Sequence, residues 1–306
     1  MTDVALIFPG QGAQKVGMGK ELYESSDAAR AIFDKAEALV GAGFKSVVFE
    51  GPQEKLTSTA YCQPAILTMS VAALKALEAH PKFKNINVRF TAGLSLGEYS
   101  ALAAANVMSF EDTLKVVGQR ASFMEDAAKE AKGAMAAVIG FDAAKLKDIC
   151  GQTGAEVANY NSKEQIVITG HAEKVAAACE GIKSAGGKVI PLDVSGAFHS
   201  SLMNPAALRF AGVVTGVPVK TGAVKVISNV NAQPHIEEGA IRHNLVAQIT
   251  SSVRWVESVE YILGQGVKNF IEIGPGKVLR GLIRKISPEA IVVNIEKPED
   301  IEALPF

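Results

Sequence analysis

Residues 92–105 read AGLSLGEYSALAAA, and the fold turns on them. Gly93-Leu94-Ser95-Leu96-Gly97 is a G-x-S-x-G pentapeptide set between an apolar, β-rich run (Val88 to Gly93) and a small-residue helical pattern (Glu98 to Ala105). A sharp strand-to-helix turn lifts a serine oxygen clear of a sheet edge, and glycines on either side remove Cβ atoms that would clash. The helix N-terminus then brings amide hydrogens and the positive end of a dipole beside a developing oxyanion. The pentapeptide alone also arises by chance. Its strand–turn–helix setting is what makes Ser95 a candidate nucleophile.

Short β-rich runs alternate with longer helical patterns on both sides of this turn, which predicts an α/β fold with a mainly parallel sheet. Upstream, Val4 to Phe8 reads as the first strand, cut off by Pro9-Gly10-Gln11-Gly12. Ala28 to Val40 has helical periodicity, and Pro64 to Glu78 is a strongly apolar helix. Downstream, Phe110 to Ala128 is a helix with Ser109 placed to cap it. The texture then changes. Strands at Ala134–Ile139, Glu156–Tyr160, Gln165–Thr169 and Lys188–Asp193 interleave with helices at Ala143–Cys150 and Ala172–Ala185. That β-α-β-β-α-β order is a ferredoxin-like split unit, so residues 128–197 read as a small inserted domain. Residues 1–127 and 198–306 form the main domain. Past Ser200 one strand is clear, Asn269 to Ile273, followed by Gly274-Pro275-Gly276 and a helix.

With 48% apolar and 21% charged residues, the 306-residue chain can build one large core and a smaller satellite. A formal net charge of −1 gives no footing for a nucleic-acid or membrane-surface binder. Cys62, Cys150 and Cys179 are far apart, lack metal-ligand spacing and read as reduced thiols of a cytoplasmic protein. The apolar run near the N-terminus is too short for a signal peptide, and no run approaches the roughly 18 consecutive apolar residues of a membrane span.

A serine nucleophile needs a base with a pKa near working pH, which suits histidine. Of the five histidines, His199 is the best placed. It follows a strand through a flexible Ser-Gly-Ala stretch, where sheet-edge active sites collect. His80 and His235 sit beside prolines in polar loops, and His171 and His243 read as surface or helix positions. Arg120, on the helix after the nucleophile helix, is flanked by Val116, Val117, Phe123 and Met124. It is either an ordinary solvated arginine or a partly buried fork able to grip a carboxylate through two parallel hydrogen bonds. Asn159 and Asn161 either line a cleft or satisfy loop backbone groups. Lys277, Arg280, Arg284 and Lys285 share one helical face, opposite Val278, Leu279, Leu282 and Ile286. That face reads as solvated, with a dock for an acidic partner as the alternative.

Several segments together make the chain similar to the malonyl-CoA:acyl carrier protein transacylases. They are FPGQGAQKVGMG (8–19), GLSLGEYSALAAA (93–105), GQRASFM (118–124), NYNSKEQIVITG (159–170), GAFHSSLM (196–203), SNVNAQP (228–234), QITSSVRW (248–255) and IEIGPGKVL (271–279). The resemblance implies an α/β-hydrolase-like core with a ferredoxin-like insert. It puts Ser95 at the nucleophile, His199 at the general base and Arg120 on the malonyl carboxylate. The amides of Gln11 and Leu96 fall at the oxyanion hole, and the main-chain carbonyl of Gln248 orients the histidine. That last assignment leaves Asp193, the nearest carboxylate in sequence, as a structural residue at a strand end. Asn159 and Asn161 join Arg120 and Gln248 as substrate-side positions.

The resemblance further implies malonyl-CoA as acyl donor, acyl carrier protein as partner, no resident cofactor or metal, and a monomer. Phosphopantetheine comes on the partner. Three positions depart from the family pattern. Leu94 replaces a common His, making the pocket wall more apolar, and Ser162 and Ser252 stand where proline is frequent. Two other functions share some of these features. A serine hydrolase would use Ser95 and His199 but gives Arg120 no purpose. A non-catalytic carrier-binding module gives none of the three a purpose.

Overall fold

Val4 to Phe8 are buried without a break, and a strand with no solvent face belongs inside a parallel sheet covered on both sides. The computed structural model, which describes all 306 residues, shows that arrangement. Its strands are, in chain order, β1 (Thr2–Phe8), β2 (Ile86–Gly93), β3 (Gly133–Ile139), β4 (Glu156–Ser162), β5 (Gln165–His171), β6 (Lys188–Pro191), β7 (Lys225–Val226), β8 (Asn269–Ile273) and β9 (Ile291–Ile295). Five of them form a parallel sheet ordered β7-β2-β1-β8-β9.

The pleat sorts the side chains of β1. Val4, Leu6 and Phe8 enter the larger core, while Ala5 and Ile7 enter a second core on the other face. The larger core is built on the Thr59–Ala79 helix, packed against the Asp27–Val40 and Phe110–Glu130 helices. By length and composition that central helix could cross a membrane, but 83% of its apolar window is buried inside the protein. The second core is closed by the Trp255–Gly264 and Val278–Ile286 helices.

The remaining strands form an antiparallel sheet ordered β4-β5-β3-β6. One face carries the Ala143–Thr153 and Ala172–Ser184 helices over a core of its own, which includes Val138, Ile168 and Ile182. The opposite face sends Met135, Ala137 and Val167 into the main core. A seam ties the small sheet to the large domain. Val253 donates its amide to the Ala158 carbonyl (2.8 Å) and accepts from the Tyr160 amide (2.9 Å).

Four sequence expectations change in detail. The apolar helix begins at Thr59, not Pro64; Pro64 lies inside it, past the first turn, and its missing N–H leaves the Ala60 carbonyl without its i+4 partner. The last strand of the small sheet stops at Pro191, after which Leu192 makes one more bond to Met135 and Asp193 leaves the ladder. Two strands join Asn269–Ile273 past Ser200. β7 has two residues, too short to carry a period, and β9 is an edge strand with only partial alternation.

Candidate active site

β2 delivers Gly93 to a turn in which Ser95 has φ 54°, left-handed backbone that costs a non-glycine residue about 1–3 kcal/mol. The flanking glycines are sterically required. A Cβ on Gly97 would stand 2.0 Å from the Phe8 carbonyl oxygen, and one on Gly93 would stand 2.0 Å from the Gly97 carbonyl carbon. Asn229 clamps the strained turn. Its Oδ1 accepts from the Ser95 amide (2.7 Å) and its Nδ2 donates to the Gly93 carbonyl (2.7 Å).

His199 reaches the serine from the far side of the cleft. Its Nε2 lies 2.7 Å from Ser95 Oγ, and its Nδ1 lies 2.8 Å from the Gln248 carbonyl and 3.2 Å from that of Ser251. Carbonyls only accept, so Nδ1 carries the hydrogen and Nε2 is left free to take the hydroxyl proton. Burial, with the nearby Arg120 charge, lowers the imidazole from its ordinary 6.5 to about 4, while the two carbonyls pull it back up. Asp193 is exposed and makes no hydrogen bond to the histidine. Gly196 packs so closely on Ala128 that a Cβ there would lie 2.4 Å from the alanine's own Cβ.

Arg120 is buried, not solvated, at 1% exposure. Nη1 donates to Gln63 Oε1 (2.7 Å), and Nη2 donates to Gln248 Oε1 (3.0 Å) and Ser95 Oγ (3.1 Å). Its guanidinium carbon stands 5.2 Å from the centre of the Tyr99 ring. All three hydrogen-bond acceptors are neutral. No acidic side chain pairs with this buried cation directly, and its Nε has no partner.

The amides of Gln11 and Leu96 donate to no protein acceptor, and both residues line a cleft of about 220 Å³ beside Ser95. Asn159 and Asn161 approach it from β4, and Asn161 Oδ1 is unpartnered. Leu94 forms part of the apolar wall, with Val278 and Leu282. Val278 was expected on the core face of its helix; it is instead 54% exposed at the cleft. On the same helix Arg280 leans toward Asn294 and Lys285 toward Glu164, leaving Arg284 and Lys277 exposed.

An acyl transferase domain matches residues 5–294. The chain is 45% identical to a malonyl CoA-acyl carrier protein transacylase of Bacillus subtilis (strain 168), over 99% of this chain and 96% of that protein. It belongs to the malonyl-CoA:acyl carrier protein transacylase family. Among solved structures, an acyl-carrier-protein-S-malonyltransferase from Bartonella henselae superposes with TM-score 0.94 at 39% identity, covering 99% of this chain and 98% of that one. A malonyl-transacylase in complex with a type II PKS acyl-carrier protein superposes with TM-score 0.93 at 35% identity, covering 98% of each.

Four residues of this transacylase site escaped the sequence reading. Gln63 lies on the central helix one position before Pro64, where it looks like any polar residue on an apolar face. Glu98 and Asn229 lie inside motifs quoted for other reasons, and their burial was the missing information. His235, expected in a polar loop, has a buried side chain with its ring nitrogen 2.8 Å from Glu98. A buried acid and histidine far apart in sequence give no local signal.

Proposed function

We propose that this chain moves a malonyl group from coenzyme A to the phosphopantetheine thiol of an acyl carrier protein, by way of an ester on Ser95. The observation that carries the reading is the buried Arg120 guanidinium, held beside the serine with no acidic partner of its own. A desolvated cation beside a nucleophile favours an acyl group with a free carboxylate and disfavours one without. A plain hydrolase has no use for it.

In the first half-reaction Ser95 Oγ attacks the thioester carbonyl as its proton passes to His199 Nε2. The imidazolium so formed is steadied by the Gln248 and Ser251 carbonyls. The amides of Gln11 and Leu96 receive the oxyanion, helped by the N-terminus of the Gly97–Ala104 helix. The His199 proton then goes to the departing coenzyme A thiolate. In the second half-reaction the carrier thiol gives its proton to His199, attacks the ester, and Ser95 Oγ takes the proton back. The carrier thiol's proton replaces the one that left with coenzyme A, so Ser95 and His199 end as they began and the exchange needs no cofactor of the protein's own. Arg120 keeps the malonyl carboxylate in place through both halves, with Asn159 and Asn161 lining the same cleft. A cytoplasmic location, supported by three free thiols, belongs to the same proposal.

Mass spectrometry of the protein mixed with malonyl-CoA tests this. A malonyl adduct on Ser95 that carrier thiol discharges faster than water does is the expected result. Rapid loss to water supports a hydrolase instead, and no adduct at all supports a non-catalytic binder.

A further inference from the structure

Beneath the elbow lies a carboxylate that the chemistry above does not use. Glu98 is the second residue of the Gly97–Ala104 helix and is fully buried. Three N–H groups converge on its two oxygens. Gln248 Nε2 (2.6 Å) and the Asn229 backbone amide (3.1 Å) donate to Oε2, and His235 Nε2 lies 2.8 Å from Oε1. His235 Nδ1 is buried without a partner, so the tautomer that serves the pair has its hydrogen on Nε2, facing Glu98. Glu98 therefore accepts from three sides and donates to none.

The consequence lies on the far side of Gln248. Its Nε2 donates to Glu98 (2.6 Å) and to the Ser95 carbonyl (3.0 Å), while its Oε1 accepts from Arg120 Nη2 at 3.0 Å. A carboxamide turned by 180° keeps its shape, so only its neighbours decide which end points where. An acceptor-only carboxylate holds the NH₂ on its own side and so leaves the oxygen toward Arg120. Turned the other way, the amide would oppose the guanidinium donor to donor. Gln63 pins the other guanidinium nitrogen, so the aim of the cation is set from both ends. The two buried charges also offset one another across a single polarised amide.

We propose that Glu98, paired with His235, is a positioning residue for acyl-group selectivity, locking the Gln248 amide so that Arg120 is aimed at a substrate carboxylate. The proposal rests on the reading of Arg120 as the carboxylate ligand of a malonyl group carried by Ser95. It adds a residue that touches neither the substrate nor Arg120.

Glu98→Gln tests it, since glutamine keeps the shape but brings an NH₂ of its own and removes the charged acceptor, leaving the weaker hold of the Ser95 carbonyl on Gln248. The measurement is kcat/KM for malonyl-CoA and for acetyl-CoA with one carrier protein, in wild type and variant. The malonyl value is expected to fall at least about tenfold further than the acetyl value, the scale of one lost charge-assisted hydrogen bond. His235→Gln, which retains a donor toward Glu98, should keep the wild-type ratio. His235→Leu, which has none, should move the ratio in the same direction as Glu98→Gln. Equal falls for both substrates, or none, overturn the proposal, because a glutamate with a merely structural role lowers both alike. Should Glu98→Gln not fold, the two His235 variants decide, and equal ratios in them overturn it. A wild type that forms no malonyl ester on Ser95 counts against the proposed function instead. A wild type that transfers malonyl normally, with an unchanged ratio in the variants, counts against Glu98 alone.

Discussion

Arg120 shows how much one side chain decides. Its neutral partners orient it without cancelling its charge, so an incoming carboxylate finds a cation already desolvated and already aimed. Arg120→Ala is expected to lower kcat/KM for malonyl-CoA by roughly 10- to 100-fold, equivalent to about 1–3 kcal/mol, and to leave acetyl transfer relatively favoured. Steady-state kinetics with both donors reads the ratio, and an unchanged ratio would remove Arg120 from the specificity argument. Arg120→Lys should recover little. A lysine is a point charge and cannot serve Gln63 and Gln248 at once with the fixed geometry of a fork.

At the scale of elements, the elbow is a junction in which strand, turn and helix share atoms' worth of space. Ser95 holds its left-handed backbone because Asn229 bonds both the amide of the serine and the carbonyl of Gly93. Gly97 lets the helix start against the end of β1, close to the Phe8 carbonyl. Gly97→Ala should cost several kcal/mol, on the scale of core overpacking, and abolish Ser95 acylation, since the helix and β1 cannot both keep their places. Thermal unfolding and adduct formation measure the two effects. The control is Gly118→Ala in the Phe110–Glu130 helix, where an added Cβ meets nothing within 4 Å. That change should be neutral, or stabilising by about 0.5–1 kcal/mol, through helix propensity. A Gly97→Ala protein as stable and as reactive as wild type would contradict the packing account.

For the whole molecule, closing the small sheet over the large domain buries His199, and stability is linked to pH through that burial. The folded imidazole titrates near 4 because of burial and the Arg120 charge, whereas the unfolded one titrates near 6.5. Between those values the unfolded chain binds the proton and the folded one does not. Stability therefore falls as pH drops through the window, by about 3 kcal/mol in full, and His199 contributes no such loss above pH 6.5. Chemical denaturation of wild type and His199→Gln at pH 7 and pH 4.5 isolates the effect. The stability of wild type relative to the variant should be lower at pH 4.5. A relative stability equal at both pH values would mean that the histidine is not held neutral. The same depression keeps the base unprotonated through mildly acidic pH, so acylation should not lose its base until well below neutrality.

Much of this could be read from the chain before any contact was known. Ser95 was legible because a nucleophile elbow is local: glycine, serine and glycine within five residues, between a strand and a helix, state their geometry in the sequence itself. The small sheet was legible because each of its six elements carries its own period. The helix start ahead of Pro64, the two-residue β7 and the edge strand β9 were not, since boundaries and short edges depend on what packs beside them. Resemblance in eight short segments supplied Gln248 and Gln11 and assigned the roles of His199 and Arg120, none of which a local pattern relates to Ser95.

What the sequence by itself determined was the α/β class, the split unit and the turn that presents the serine, all set by local periodicity and backbone sterics. Only the tertiary structure decided that Arg120 is a buried cation without an acidic partner, that His235 turns a buried side chain from its loop onto Glu98, and that Val278 faces the cleft. Those are facts about desolvation and about neighbours far apart in sequence, 57 residues for Arg120 and Gln63 and 137 for Glu98 and His235. A linear pattern holds neither, because burial and long-range hydrogen bonds exist only once the chain has closed on itself.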